Sequence, residues 1–307
     1  MSLYRQVRPT KFNEFLGNEA TVKALKSIVK KPPDDRPHAY LFSGPSGCGK
    51  TTLARILAKE FGCSDIDLNE MDVANTRGID TIREVIGNAS LSPMGGSCRV
   101  YIFDEAHQLS KDAMNGLLKL LEDFPKNSYF MLCSTDPQKI IKTIHTRCSQ
   151  FSVELLTEDE IAILLESTLA NISQDVASDA VFDALVKASE GSPRRALTLL
   201  ENILQVETQE DQLNLITAAN IEGDVIELSR AIMKGADWNE LAEIYKSIPN
   251  KDAEVIRRII LGYMKSVLLS GGRNADIASQ VIEIFEKSTY DSGEASLVLM
   301  LYKSVGR

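Results

Sequence analysis

The chain has 307 residues, of which 44% are hydrophobic and 25% charged, and a formal net charge of −9. That length predicts two domains, or three small ones, each able to bury a core. No apolar run approaches the ~20 residues of a membrane span, and the opening MSLYRQVRPTKF has basic residues but no apolar stretch, so neither a membrane partner nor a secretory signal is expected and the location read is cytoplasmic. The acidic balance argues weakly against nucleic-acid binding, yet it leaves open a basic inner face on an acidic body.

From about Thr21 to Val153, strand-like and helix-like segments alternate. Strands are predicted at Tyr40–Ser43, Asp67–Val73, Val100–Phe103, Phe130–Ser134 and Gln150–Val153. Helices are predicted at Val22–Lys30, Thr51–Phe61, Ile79–Asn88, Lys111–Asp123 and Gln138–His145. Short apolar strands separated by amphipathic helices predict an α/β fold with a parallel sheet covered on both faces. After Val153 the pattern turns helical. Thr157 and Glu160 form a capping-box signature at the start of a helix to Ala170. Ser178–Glu190 and Ser192–Leu204 follow, divided by Gly191-Ser192-Pro193. A polar stretch, Val206–Gln212, reads as a linker to a last helical region broken near Gly235, Pro249, Gly271-Gly272 and Gly293. The expected domains are residues 1–155 (α/β), 156–206 (helical lid) and 207–307 (helical). The five cysteines, at 48, 63, 98, 133 and 148, include no C-x-x-C pair. Neither a zinc site nor a disulfide framework is expected, only reduced thiols.

Two motifs carry chemistry. Gly44-Pro45-Ser46-Gly47-Cys48-Gly49-Lys50-Thr51 fits G-x-x-x-x-G-K-[ST] between a predicted strand and a helix that continues from Thr52. Such a loop turns its N–H groups toward a phosphate, and the helix N-terminus favours the anion. Lys50 is suited to the β/γ-phosphates of a nucleoside triphosphate and the Thr51 hydroxyl to Mg2+. The second motif, Val100-Tyr101-Ile102-Phe103-Asp104-Glu105-Ala106-His107, ends an apolar strand in two carboxylates. Asp104 is a candidate for Mg2+ and Glu105 for polarising an attacking water.

In order along the first two hundred residues, these motifs and their neighbours resemble the AAA+ clamp-loader ATPases, the bacterial gamma/tau polymerase III subunit and the replication factor C small subunits. Tyr4-Arg5-Gln6-Val7-Arg8-Pro9, Phe12 and Phe15-Leu16-Gly17-Asn18-Glu19 look like the family's N-terminal box at the adenine, which implies nucleotide contacts for Arg8, Pro9, Leu16 and Gly17. Asn75-Thr76-Arg77-Gly78-Ile79-Asp80 resembles a replication factor C box, and Leu117-Leu118-Lys119-Leu120-Leu121-Glu122 the bacterial helix after the acidic motif. Ser134-Thr135-Asp136-Pro137-Gln138-Lys139 is similar to sensor 1, with Thr135 at the sensor position. Thr146-Arg147-Cys148 stands where the family has Ser-Arg-Cys, which implies that Arg147 acts on a neighbouring subunit's nucleotide. Gly191-Ser192-Pro193-Arg194-Arg195-Ala196 resembles sensor 2, with Arg194 the matching arginine.

The resemblance implies an ATP- and Mg2+-dependent motor that opens a sliding clamp and loads it on primed template DNA, in a pentameric ring with other loader subunits. It implies catalytic roles for Lys50, Glu105, Thr135, Arg147 and Arg194. Arg77, Arg83, Lys111 and Lys119 are then DNA-backbone contacts or scattered surface charge. The glycine-rich segment Ile86–Gly96, with Leu91, Pro93 and Met94, either faces a partner or packs beneath the sheet. Relative to the bacterial subunit, neither its cysteine-ligated zinc module nor its long tau extension is expected here. A helicase or branch-migration motor is the alternative, and a non-hydrolysing loader subunit a third reading against which Lys50, Thr51, Asp104 and Glu105 argue.

Overall fold

The computed structural model describes residues 2–73, 78–248, 252–271, 274–290 and 292–305. It divides into two units, Met1–Gln205 and Val206–Arg307.

The first unit opens with the short helix α1 (Leu3–Gln6) and α2 (Glu19–Val29). Then come β1 (Ala39–Ser43), α3 (Lys50–Glu60), β2 (Cys63–Asp72), α4 (Ile79–Ala89), β3 (Cys98–Asp104), α5 (Lys111–Glu122), β4 (Ser128–Ser134), α6 (Lys142–His145) and β5 (Ser149–Ser152). All five strands are parallel, in the order β2-β3-β4-β1-β5, as the α/β expectation required.

Successive strand residues point to opposite faces, and both faces are apolar. Leu41, Tyr101, Phe103, Phe130 and Leu132 meet Ile82, Val85, Leu117, Leu121 and Ile144 from α4, α5 and α6. Their alternates Tyr40, Phe42, Val100, Ile102 and Met131 meet Leu25, Leu53, Ile56, Leu57 and Phe61 from α2, α3 and the turn after α3. Two-sided burial explains why these strands read as continuous apolar runs.

Two boundaries differ from expectation. β2 begins four residues early, at Cys63, and its pairing with β3 shifts register between Cys63 and Leu68. The helix expected over Gln138–His145 is instead a 3-10 turn, Pro137–Lys139, and the single-turn α6. Ile140 and Ile141 between them are extended, with Ile140 buried in the core.

The unit continues with α7 (Glu158–Ile172), α8 (Asp179–Ala188) and α9 (Pro193–Ile203). Thr157 and Glu160 cap α7 reciprocally, and the Ser178 and Ser192 hydroxyls cap α8 and α9.

The second unit is helical in its described residues: α10 (Gln209–Lys234), α11 (Trp238–Ser247), α12 (Ala253–Ser270), α13 (Ala275–Ile284) and α14 (Gly293–Lys303). Thr208 caps α10, so the polar stretch read as a linker already holds a helix start. Leu228, Ile232, Leu241, Ile256, Ile260, Phe285 and Leu297 form a core of its own. Glu254 is buried beside them and accepts hydrogen bonds from Arg257, Arg258 and Thr289.

Candidate nucleotide site

In a parallel α/β sheet, ligands gather beyond the carboxyl ends of the strands. β1 ends at Ser43 and α3 starts at Lys50, so the glycine-rich loop turns there. Gly47 has φ +78°, and a Cβ on it would stand 2.3 Å from the Ser192 hydroxyl at the head of α9. Only glycine permits both that backbone and that approach. Lys50 is buried, and its ammonium donates to the Gly44 carbonyl at 2.9 Å and the Pro45 carbonyl at 2.6 Å. Its charge is thus folded across the loop. Cys48 is buried within the loop, and burial pushes its thiol up from the ordinary value.

β3 ends at Asp104 beside this loop. The Thr51 hydroxyl donates to Asp104 Oδ2 at 3.1 Å, and the Glu105 backbone N–H to Oδ1 at 3.1 Å. Burial, with the Glu105 charge adding to it, raises the Asp104 carboxyl above the usual carboxylate value. An anion held there at a cost is one that a cation would relieve. Glu105 takes a left-handed backbone, φ +52°. Its carboxylate accepts from the Thr135 hydroxyl at 2.9 Å, and His107 Nδ1 lies 3.3 Å from the same oxygen. The buried Ser134 hydroxyl lies 3.3 Å from His107 Nδ1 and accepts from the Asp136 N–H at 3.1 Å. The ends of β3 and β4 are therefore joined through the Glu105 carboxylate.

One cleft collects most of the expected residues. Ser46, Gly47, Cys48, Gly49, Lys50, Thr51 and Thr52 form its floor, with Asp104 and Glu105 at one side. Arg8, Pro9 and Leu16 from the N-terminal segment and Arg194 from α9 complete it. Burial first, and then the nearby Arg55 charge, push Arg8 below the ordinary arginine value. Like charges gathered around a glycine-rich loop suit an anionic ligand.

Several expected residues stand elsewhere. Gly17 is not on the cleft wall; a side chain on it would run into Leu156 and Glu160. Gly44 and Pro45 are set back, and their carbonyls hold Lys50. Thr135 reaches the site only through Glu105. Arg147 is outside this cleft, pairing with Glu122 and donating to the Thr143 carbonyl at 3.1 Å. Arg195 pairs with Glu190 at 3.0 Å. Arg83, Lys111 and Lys119 are exposed on α4 and α5, which pack together. Arg77 lies outside the described residues.

Tyr4 and Phe15 belong to the N-terminal box expected at the adenine but carried no named contact, and the leucine wall was not expected from sequence. Tyr4 lines the cleft with the Arg194 guanidinium 5.9 Å from its ring centre, and Phe15, Leu156, Leu164 and Leu197 supply an apolar wall. Leu164 lies within α7 and Leu197 within α9, where helix-core periodicity already accounts for them, so nothing local separates them from packing. His107 was legible, two residues past Glu105, but its link to Ser134 depends on the fold.

Residues 67–157 match the family described as DNA polymerase III, delta subunit. DNA polymerase III subunit tau of Escherichia coli K12 is 33% identical over 279 residues, covering 78% of this chain and 43% of that protein. The tau subunit of Bacillus subtilis 168 is 33% identical over 274 residues, covering 82% and 46%. The gamma/tau subunit of Mycobacterium tuberculosis H37Rv is 34% identical over 227 residues, covering 66% and 39%. The chain thus spans less than half the length of these relatives. Among solved structures, the Thermotoga maritima RuvB Holliday junction branch migration motor aligns with a TM-score of 0.61 at 21% identity, covering 78% of this chain and 85% of that one, a likeness of fold. A P-loop between β1 and α3, an acidic pair ending β3, the parallel order of the sheet and these sequence likenesses place the chain in the AAA+ clamp-loader ATPase family.

Proposed function

We propose that this chain is an ATP-hydrolysing motor subunit of a DNA polymerase clamp loader, opening a sliding clamp and placing it on primed template DNA. The observation that carries the reading is the joined cluster at the ends of β1, β3 and β4: Thr51 on Asp104, and Thr135 on Glu105.

The residues fit ATP with Mg2+. Thr51 and Asp104 offer converging hard oxygen donors, Asp104 bearing a buried charge that a cation would offset. The N–H groups from Gly47 to Thr51 and the Lys50 ammonium would hold the phosphates, Lys50 exchanging two carbonyl oxygens for phosphate oxygens. Tyr4, Arg8, Pro9 and Leu16 would enclose the base and sugar. When bound, the magnesium nucleotide supplies an electrophilic γ-phosphorus with part of its charge neutralised.

The chain's own groups do the rest. Glu105 accepts hydrogen bonds from an attacking water and orients it, and Thr135 fixes that carboxylate. Arg194, at the head of α9, ties the helices after β5 to the nucleotide. Arg147 serves the site of a neighbouring subunit in the ring, stabilising charge that develops in the transition state. Exposed Arg83, Lys111 and Lys119, with Arg77, are offered as DNA-backbone contacts. The second unit is offered as the part that holds ring neighbours together, and the cytoplasm as the location. No helix among the described residues is long and apolar enough to cross a membrane.

The test is ATP turnover by the chain and its partner subunits with primed DNA and the clamp, added singly and together. Joint stimulation exceeding the sum of the two supports the reading, and Arg147→Ala should lower the stimulated rate by about 10³-fold or more. Stimulation by branched DNA alone, with junction movement, would favour the branch-migration reading. Clamp loading that survives Lys50→Ala would sink the motor role.

A further inference from the structure

Cys63 opens β2 and Cys98 opens β3, and the two are register partners in neighbouring parallel strands. In-register residues of such a pair project to the same face, with backbones about 4.8 Å apart. A disulfide spans Cα separations of about 4.4–6.8 Å. The Cys63 thiol donates to the Ser64 carbonyl at 3.4 Å and the Cys98 thiol to the Phe61 carbonyl at 3.5 Å, and the two thiols lie near enough to interact. Their interaction holds the Cys98 thiol below, and the Cys63 thiol above, the ordinary cysteine value.

The residues ahead of both cysteines fix the pairing. The Ser97 N–H donates to the Gly62 carbonyl at 2.9 Å, and the Ser97 hydroxyl to the Phe61 carbonyl at 3.1 Å. Beyond Cys63 the pairing with β3 shifts register before Leu68. Cys98 is buried, while Cys63 is half-buried and reachable. The other three thiols are poor competitors. Cys48, Cys133 and Cys148 are buried and their thiols are pushed up by burial, Cys148 to about 12.

We propose that Cys63 and Cys98 form a dithiol site for small-molecule disulfides, closing reversibly to an intrachain disulfide. One protein thiolate attacks a sulfur of the small disulfide, forming a mixed disulfide and expelling a small thiolate. The second protein thiol gives up its proton and attacks the protein sulfur of that bond, expelling the other small thiolate. Two protein thiols and one small disulfide thus become one protein disulfide and two small thiols. The bond would tie off residues 64–97 at their base, a segment that carries α4 and the exposed Met94. The pair lies at the amino ends of the strands and the nucleotide cleft at their carboxyl ends. At 3.3 Å per residue the seven residues of β3 alone put about 20 Å between them, so closure leaves nucleotide binding intact.

The full chain is equilibrated with oxidised and reduced glutathione at neutral pH, quenched with a maleimide and digested with trypsin without reduction. The expected product joins the peptide of residues 60–77 to that of residues 84–99, two hydrogens lighter than their sum, in at least tenfold excess over glutathione adducts, and dithiothreitol reverses it. Cys98→Ser should instead trap glutathione on Cys63, and the oxidised wild-type chain should bind a fluorescent ATP analogue within twofold of the reduced one. Stable glutathione adducts without the joined peptide, pairing with any other cysteine, or no reaction by the folded chain would overturn the proposal. Wild-type mapping alone decides it if the variant does not fold.

Discussion

Glu105 has two features that separate binding from turnover. Its carboxylate is oriented by Thr135 and His107, and it makes no contact with Lys50 or Thr51 among the described hydrogen bonds. Glu105→Gln should therefore keep ATP affinity within a few-fold of wild type while slowing turnover by about 10²–10⁴. Equilibrium binding and single-turnover phosphate release measure the two separately, and equal losses in both would remove Glu105 from the role of base. At this scale the sequence was most legible where function is contiguous. Lys50, Thr51, Asp104 and Glu105 sit in two unbroken runs whose chemistry is readable without a fold. The contacts of Tyr4 with Arg194 and of His107 with Ser134 were not, because each joins residues far apart in sequence. The Cys63–Cys98 pair was hidden for the same reason: spacing rules for metal sites and short disulfide loops do not register partners brought together by a sheet.

Asp67 organises β2 and the turn that leads into β3. Fully buried, it accepts from the Ser64 hydroxyl at 2.6 Å and from the Met94, Gly95 and Gly96 N–H groups at 2.7, 2.9 and 2.8 Å. Asp67→Asn removes the charge and one acceptor oxygen, leaving N–H groups short of a partner. It should destabilise the first unit by about 1–3 kcal/mol, read as an earlier denaturant midpoint, with no change in the second unit. The same carboxylate explains the fate of the glycine-rich segment. Asp67 draws three successive N–H groups inward and leaves Met94 79% exposed, so of the two readings weighed in sequence the structure has that residue facing outward. In the second unit Glu254 plays a comparable part between α12 and the residues after α13. The Arg257 guanidinium, the Thr289 N–H and further donors hold its carboxyl well below the usual carboxylate value. A depressed folded-state value means stability that is fully present above the unfolded value and is lost as pH falls toward the folded one. The second unit's melting temperature should accordingly drop as pH is lowered beneath about 4.5, the ordinary value of a glutamate. Glu254→Gln should be less stable at pH 7 and flatter over that window, and melts from pH 7 to pH 3 followed by circular dichroism check it. A variant with the wild-type slope would show that other carboxylates govern acid unfolding.

For the molecule as a whole, each unit has a core built from its own residues, one over the two sheet faces and one among α10–α14. Val206 and Glu207 join them without belonging to a helix. Limited digestion with glutamate-specific protease should cut first near Glu207 and release two resistant fragments, identified by intact mass. Simultaneous decay of both halves would mean that neither core stands alone. The α/β class was readable from strands buried on both sides, because apolar runs alternating with amphipathic helices have few other solutions. The boundary between lid and sheet layers was less so. α7–α9 fall in the same compact unit as the sheet, although the sequence marks a composition change near residue 155.

The strand order leaves β2 and β5 on the outside of the sheet. Open rims of this kind invite a foreign strand to add on, the first step toward fibrous aggregates. β5 offers four residues, two of them serines flanking the run. β2 is longer but carries the exposed carboxylates Asp65, Glu70 and Asp72 within ten residues. An incoming acidic copy of this chain, net charge −9, meets like charge on one rim and too short a ladder on the other. The two rims of the sheet therefore disfavour backbone templating between copies of this chain.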